Sequence, residues 1–217
     1  EIIIVSDGKQ VALPAVPREG NIIQLETGSV SGPAVARNLG AKRATGEILC
    51  FIDSDIVAPP GIAESIYRVF EQHPSVNALF GSYDTEPLMP NFLSQYRNLL
   101  HHYVHQKGRE EAFTFWSGCG AIRRQVFLQV GGFDGERYPD PSIEDIELGY
   151  RLRKAGHSIR LCKNIQVKHL KRWEAFSMFK ADFYKRALPW TMLLLREKEF
   201  KNDLNIKVSD RLSVGMV

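Results

Sequence analysis

Residues 32–55, GPAVARNLGAKRATGEILCFIDSD, decide the fold class of this 217-residue chain. Pro33 stands where a first helical residue is expected, residues 34–44 predict a helix, and Gly46 follows its end. The next run, 48–52, is apolar throughout and predicts a strand buried on both faces. Because similar helix-like and strand-like segments alternate along the chain, the sequence predicts an α/β sandwich with a largely parallel central sheet.

The composition excludes several classes of protein. Hydrophobic residues make up 44% of the chain and charged residues 24%, which excludes a disordered protein. The net charge of +3 is too small for whole-surface binding of nucleic acid, so no nucleic-acid partner is expected. Three cysteines are too few for a disulfide framework and predict a reducing, cytoplasmic location. The chain has no apolar run of about 18 residues, signal peptide or initiator Met, and we expect both ends to be cut.

Two aspartates directly follow the apolar strand at 48–52. Asp53 and Asp55 project to the same side because side chains alternate along an extended chain. They lie at the carboxyl end of the strand, where open α/β sheets bind ligands. Their mutual repulsion favours a divalent cation, Mn²⁺ or Mg²⁺, with the rest of its shell from water and diphosphate oxygens. The alternative is a turn in which one aspartate caps the next helix.

A third carboxylate, Asp145, is predicted near the start of a helix over 143–155. Helical spacing aligns Asp145 with Leu148 and Leu152, so its side chain is expected to point inward. Glu147 and Arg151 fall on the opposite, charged face and predict an exposed ion pair. An inward carboxylate that the helix dipole keeps ionised can deprotonate a hydroxyl group.

These patterns together resemble a known enzyme family. Residues 32–55 resemble the nucleotide-sugar half of the inverting family 2 glycosyltransferases, which have the GT-A fold. Residues 116–124, WSGCGAIRR, and 144–152, EDIELGYRL, resemble the acceptor half of the same family. The resemblance covers residues 1 to about 172 and implies a Rossmann-like three-layer sandwich. It divides the domain into a nucleotide-sugar half, about 1–85, and an acceptor half, about 86–172.

The resemblance implies a set of donor-binding residues. In the family, the position of Asp7 holds the nucleobase and that of Arg37 helps to shape the nucleotide pocket. Asp53 and Asp55 correspond to residues that meet the ribose and the metal-bound diphosphate, with Asp55 the direct metal ligand. His169 corresponds to a residue that can complete the metal site; the alternative is a histidine that closes a strand and meets solvent.

The resemblance also implies acceptor-side roles. Asp145 corresponds to the family's general base. Trp116, Gly118 and Glu144 are predicted to bind the acceptor. Two alternatives stay open: Trp116 packs in the core, or Glu144 is simply an acid in the first turn of a helix.

Other features of the chain depart from the family pattern or lie outside it. The family's usual first strand, which supplies a further nucleobase contact, is missing here, so the base is left open. His101 and His105 share a helix face without a nearby carboxylate cluster, and we interpret them as helix surface or a subunit contact.

The C-terminal extension, 173–217, contains an amphipathic segment at 173–196. Phe176, Phe179 and Phe183 recur at helical spacing. Lysine and arginine oppose these aromatic residues, so the segment is predicted to lie on an anionic membrane surface at the inner face of the cell membrane. The alternative is a helix packed on the domain.

The function expected from these observations is inverting, metal-assisted glycosyl transfer. The donor is expected to be a UDP-type or GDP-type sugar and the acceptor a hydroxyl group of a glycan or lipid-linked molecule, as in cell-envelope polysaccharide synthesis. A nucleotidyltransferase is a second possibility, but residues 6–9, SDGK, form only a weak phosphate loop and Asp145 then has no task. A third is a non-catalytic nucleotide-sugar-binding domain, against which the three aspartates at 53, 55 and 145 argue.

Overall fold

The structure is a computed structural model that describes residues 1–9 and 21–197. Helices and strands alternate, as the sequence predicts. The strands are β1 (Ile2–Ser6), β2 (Ile22–Glu26), β3 (Ile48–Ile52), β4 (Ile56–Val57), β5 (Ala78–Tyr83), β6 (Glu111–Ala112), β7 (Cys119–Arg123) and β8 (Ile159–His169). The helices are α1 (Pro33–Arg43), α2 (Ile62–Gln72), α3 (Phe92–Lys107), α4 (Arg124–Gln129), α5 (Glu144–Lys154), α6 (Ala175–Asp182) and α7 (Leu188–Glu197), with a π-helical turn (Phe183–Ala187) between the last two.

The strands form two sheets. β1 and β2 pair in parallel, and the larger sheet has the order β3-β7-β5-β8-β4, with β6 also paired to β8. β3 is therefore an edge strand of the larger sheet within the described ranges. Cys50 and Ile52 are exposed, so the prediction that residues 48–52 are buried on both faces is wrong for these two.

The larger sheet is mixed, which corrects the prediction of a largely parallel one. β3, β5 and β8 run in the same direction, but β7 runs antiparallel between β3 and β5. The reason is that β7 starts where β3 ends: Ile52 pairs with Cys119, and the Asp53 amide donates to the Gly118 carbonyl at 3.2 Å. The chain therefore enters β7 from the carboxyl ends of its neighbours and has to run back.

Helices cover both faces of the sheet, which gives the predicted three layers. Leu79 and Phe80, consecutive residues of β5, are fully buried in two different core clusters because they project to opposite faces. One cluster joins the sheet to α1, α4 and α5, and the other joins it to α2. This arrangement fixes the carboxyl ends of β3 and β5 against the start of α5.

Helix α5 packs very closely against the backbone of residues 114–115, and a glycine in the helix allows this approach. A Cβ atom on Gly149 would lie 2.5 Å from the backbone nitrogen of Phe115. Leu148 and Leu152 are fully buried beside it, as the helical spacing predicts. The close crossing holds the first turn of α5 beside residues 113–118.

The C-terminal segment packs on the domain with one face only. Leu193 of α7 is buried in a cluster with Ile143 and Tyr150. The opposite face is exposed, and Phe176 has 79% of its surface accessible. Within 1–9 and 21–197, no helix combines the length and the apolar character needed to cross a bilayer. Residues 198–217 of the predicted extension lie outside the described residues.

Candidate active site

Most of the predicted functional side chains meet in one cavity of about 640 Å³ at the carboxyl ends of β3, β5 and β8. The start of α5 forms one wall and the C-terminal segment another. The cavity brings together seven of the predicted site residues: Arg37, Asp53, Asp55, Trp116, Glu144, Asp145 and His169. Gly118 lies directly behind Trp116, since a Cβ atom on it would come within 2.5 Å of the indole ring.

Asp55 and His169 form one corner of the cavity. The short pairing of β4 with β8 sets Ile56 opposite His169, so that Asp55 Oδ2 lies 3.6 Å from His169 Nε2. The nearby imidazole lowers the pKa of Asp55 below its usual range. His169 is only 6% exposed and stacks on Tyr83 with ring centroids 4.3 Å apart, so its interpretation as a solvent-facing histidine is wrong.

This corner fits a divalent cation that takes only part of its shell from protein. No group of three or more His, Cys, Asp or Glu side chains in the described part of the chain could hold a metal ion. Asp55 and His169 supply one oxygen and one nitrogen, a donor set that suits Mn²⁺ better than Mg²⁺. Asp53 is already engaged, because Arg37 donates to its Oδ1 at 2.7 Å.

Arg37 joins the two halves of the domain. Its guanidinium pairs with Asp53 after β3 and with Glu144 at the start of α5, at 2.7 and 2.8 Å. Burial alone would lower the pKa of Arg37, but these two carboxylates raise it above its usual range. Glu144 is buried and also accepts the Ser142 amide at 2.9 Å, so each oxygen of its carboxylate accepts a hydrogen bond.

The prediction of an exposed ion pair on α5 is wrong in one respect. Glu147 and Arg151 do pair, at 2.8 Å, but Glu147 is buried. Arg151 also donates to the carbonyl groups of Val130 and Gly132, so the chain after α4 covers this face of the helix.

Asp145 points into the cavity, as the helical spacing predicts. Its Oδ2 accepts the backbone amide of Ser117 at 3.0 Å and the hydroxyl of the same residue at 3.2 Å. Burial and the neighbouring Glu144 raise the pKa of Asp145 to about 6, against the opposing effects of Ser117 and Arg37. A carboxylate with a pKa near neutrality is well suited to accept a proton at physiological pH.

Aromatic rings and histidines form the back of the cavity. Trp116 lies edge-on to Tyr83 at 5.0 Å and 4.6 Å from the ring of His101, and it also packs against both core clusters. His105 is buried and contacts the Gly81 carbonyl at 2.9 Å. The interpretation of the two histidines as helix surface is therefore wrong: α3 turns them toward the sheet.

Both histidines are neutral at pH 7. Burial lowers the pKa of His105 to about 4, and burial together with His105 lowers that of His101 well below its usual range. Nδ1 of His101 is buried and has no hydrogen-bond partner among the described residues. Sequence analysis did not predict that Tyr83 or His101 lines the cavity, since nothing in their local pattern places them beside residues 53–55.

Asp7 is not among the residues that line this cavity. Its carboxylate accepts the backbone amides of Ser31 and Gly32 at 2.7 and 3.0 Å. Thr27 also donates its hydroxyl to Asp7, at 3.2 Å. Asp7 thus holds the loop that leads into α1.

Sequence analysis also missed a set of positive side chains on the C-terminal wall. Five cations line the cavity from α3 and from residues beyond β8: Arg97, Lys171, Lys180, Lys185 and Arg186. The sequence pattern assigned three of them only to the polar face of a surface helix. The cavity therefore has an acidic side and a cationic side.

Comparisons with known proteins point in one direction. The model of glycosyl transferase family 2 matches residues 1–131. An uncharacterized glycosyltransferase of Haemophilus influenzae is 29% identical over 146 residues, which cover 61% of this chain and 46% of that protein. The glucosyl-dolichyl phosphate glucuronosyltransferase of Haloferax volcanii is 23% identical over 243 residues, which cover 100% of this chain and 74% of that protein.

A solved structure shares the fold. The mannosyltransferase from Pyrobaculum calidifontis, in complex with GDP-Man and Mn²⁺, superimposes with a TM-score of 0.53 at 18% sequence identity. The similar region covers 73% of this chain and 42% of that one.

Proposed function

The chain belongs to glycosyl transferase family 2 and has the GT-A fold, and on this basis we propose that it carries the active site of an inverting, metal-assisted glycosyltransferase. One observation carries the proposal: Asp55 and His169, 3.6 Å apart, and a carboxylate of raised pKa, Asp145, face the same cavity. We call the Asp55–His169 pair the metal corner. The donor is a nucleoside-diphosphate sugar of the UDP or GDP type.

The donor side of the reaction belongs to residues after β3 and β8. Asp55 and His169 would hold Mn²⁺ or Mg²⁺, which when bound offsets the charge of the diphosphate leaving group. Arg37 keeps Asp53 fixed beside this corner. We assign Asp53 to the binding of the ribose. We assign Asp7 to the binding of the nucleobase, through the loop before α1 that its carboxylate holds in place.

The acceptor side belongs to α5 and to residues 116–118. The acceptor hydroxyl attacks the anomeric carbon as the bond to the diphosphate breaks, and Asp145 takes the hydroxyl proton. Ser117 holds one oxygen of Asp145 through two hydrogen bonds, which orients the carboxylate before substrate arrives. Attack opposite the leaving group inverts the anomeric configuration. Trp116, with Gly118 behind it, and Glu144 line the acceptor side.

We also propose a peripheral contact with a membrane through residues 173–196. Aromatic residues on the outer face of this segment are exposed, and Phe179 and Phe183 stack at 5.8 Å between their centroids. A relative that matches the whole chain is named for a dolichyl phosphate-linked sugar, which favours a lipid-linked acceptor over a free glycan. Such an enzyme would work at the inner face of the cell membrane.

Calorimetric titration with UDP, GDP, CDP and dTDP tests the proposal, first with Mn²⁺ and then with EDTA. We expect one nucleotide to bind only with Mn²⁺, and we expect Asp55→Ala to abolish that binding. Asp145→Asn serves as the matched control, because it removes a carboxylate of the same cavity without touching the metal corner.

The outcomes separate the alternatives. Equal loss of nucleotide binding in both variants would contradict the assignment of Asp55. Nucleotide binding that is unchanged by EDTA would contradict it as well. Metal-dependent binding without any sugar release by the wild-type chain would favour a non-catalytic nucleotide-sugar-binding domain.

A further inference from the structure

The cationic side of the cavity is built by a short stretch of the C-terminal segment. Lys180 lies on α6, and Lys185 and Arg186 lie on the π-helical turn; these three residues are the cationic wall. π-Helical turns are rare and often occur at functional sites, since they redirect side chains within a helix. Here the turn follows α6 and brings two consecutive cations to the cavity.

The charges of the cationic wall are not neutralised by neighbouring carboxylates. Lys180 and Lys185 form no ion pair within 1–9 and 21–197, and the carboxylate nearest to Arg186 is that of Asp182, at 3.9 Å. Asp182 is already bound by Arg97 through two hydrogen bonds of 2.5 and 2.9 Å. Two cations without an ion-pair partner, and a third whose only nearby carboxylate in the described part of the chain is shared with Arg97, favour an anionic ligand at this partly enclosed cavity.

The position of the wall indicates which substrate that ligand belongs to. Ser142, three residues before Asp145, donates its hydroxyl to the Lys185 carbonyl at 2.9 Å, so the π-helical turn is attached beside the start of α5. The charge of Arg186 acts on Asp145 and on Tyr83, which stacks on His169, whereas the strongest charge effects on Asp55 come from His169 and Lys171. The attachment of the turn beside the start of α5 therefore places the cationic wall next to the base.

We propose that Lys180, Lys185 and Arg186 bind a phosphate group carried by the acceptor, while the acceptor hydroxyl faces Asp145. This inference rests on the proposed function, because it takes Asp145 as the base. Arg186 offers a planar fork for two phosphate oxygens, and the lysines add point charges. Arg186 is 49% exposed, so a ligand can reach it from the cavity mouth. The phosphate is that of a lipid carrier or of a soluble sugar phosphate.

Binding of small phosphate esters to the full chain tests the proposal. The probes are n-hexyl phosphate and inorganic phosphate, with n-hexanol as the neutral control, and calorimetry measures their affinities. We expect hexyl phosphate to bind and hexanol not to bind. The affinity of the double variant Lys185→Gln/Arg186→Gln for hexyl phosphate should be at least about tenfold lower than that of the wild type, as expected when charge-assisted hydrogen bonds are lost.

Two controls make the loss specific. Lys107→Gln removes one positive charge, against two in the double variant, from an exposed position outside the cavity and should leave the affinity within about twofold. Circular dichroism with temperature should show that the double variant still unfolds cooperatively. Equal weakening in the double variant and in Lys107→Gln would overturn the proposal, because binding would then follow net charge alone.

The two possible sources of the phosphate give different results. Hexyl phosphate that binds about tenfold more tightly than inorganic phosphate indicates a lipid carrier, and equal affinities indicate a soluble phosphate ester. Both results support the cationic wall. Failure of hexyl phosphate to bind the wild-type chain overturns it.

Nucleotide binding separates this inference from the proposed function. The nucleotide that binds with Mn²⁺ should bind the double variant as it binds the wild type. A parallel loss of nucleotide and hexyl phosphate would mean that the wall holds the donor diphosphate, which overturns the acceptor assignment. If no nucleotide binds the wild-type chain, the proposed function fails instead, whatever the phosphate probes show.

Discussion

The two sides of the cavity are built in opposite ways. On the acidic side, Arg37 satisfies Asp53 and Glu144, and Ser117 satisfies Asp145. On the cationic side, Arg97 is paired with Asp182, but Lys180 and Lys185 have no ion-pair partner in the described part of the chain. A side chain whose hydrogen-bond partners belong to the protein has a fixed orientation before substrate binds. A cation without such a partner is available to an anionic ligand. In the proposed function, the acidic side is therefore the preorganised reaction centre and the cationic wall is a binding surface.

Removal of the proposed base, Asp145, should have the largest effect on the reaction. Asp145→Asn keeps the shape of the side chain but cannot take a proton, so we expect kcat to fall by about 10³-fold, within the range of general base catalysis. Nucleotide affinity should not change. Sugar release from the identified donor measures the effect. A kcat within tenfold of the wild-type value would mean that another group accepts the proton.

Removal of Arg37 tests whether the acidic side depends on its partners. Arg37→Met leaves Glu144 buried without a cation and Asp53 without its neighbour, and we expect the free energy of unfolding to fall by about 3 kcal/mol. Urea denaturation measures it. The control is Arg68→Ala, which breaks an exposed pair with Glu64 and should cost at most about 0.5 kcal/mol. Similar losses in the two variants would refute a structural role for Arg37.

A titration with Mn²⁺ tests whether His169 is a ligand of the metal ion. We expect His169→Ala to weaken the Mn²⁺ dependence of nucleotide binding by roughly 10-fold to 100-fold, the range seen when the surroundings of a metal ligand are altered. The matched variant His105→Ala removes a buried imidazole that faces the same cavity away from Asp55. An equal shift in the two variants would assign the effect to packing and not to ligation.

The pH dependence of the reaction gives the smallest effect. The pKa of Asp145 is raised to about 6, so kcat/KM should be level above that pH and fall about tenfold per unit below it. The free energy of unfolding should change with pH in the opposite direction to kcat/KM. The folded state holds the Asp145 proton more tightly than the unfolded state does, so Asp145 stabilises the fold most at low pH and loses this contribution as the pH rises toward 6. A profile that stays level to pH 4.5 would exclude Asp145 as the base.

Local patterns predicted the acidic side well. Asp145 shares a helical stripe with Leu148, as helix geometry predicts. Asp53 and Asp55 follow a strand and face one cavity, but the reason predicted for this is wrong, because residues 53–56 form a turn and not an extended chain. The exposure of Glu147 was predicted wrongly because residues 130–132 fold over that face of α5, and no local pattern encodes such a contact.

The rest of the site depends on distant parts of the chain. His101 of α3 and Arg186 of the π-helical turn enter the cavity only because α3 packs on β5 and the C-terminal segment packs on α5. The mixed sheet has the same origin, since the direction of β7 is set by the path of residues 113–118 around the cavity. Sequence patterns indicate which face of an element is apolar, but not which neighbour covers it.

The anomeric configuration of the first sugar released from the donor tests the central claim most directly. Once titration has identified the nucleotide, proton NMR of a fresh reaction with its sugar donor resolves the two anomers before they interconvert. We predict the inverted anomer, at a rate that Asp145→Asn lowers by about 10³-fold. Release of the retained anomer would contradict a single displacement in which Asp145 acts as the base.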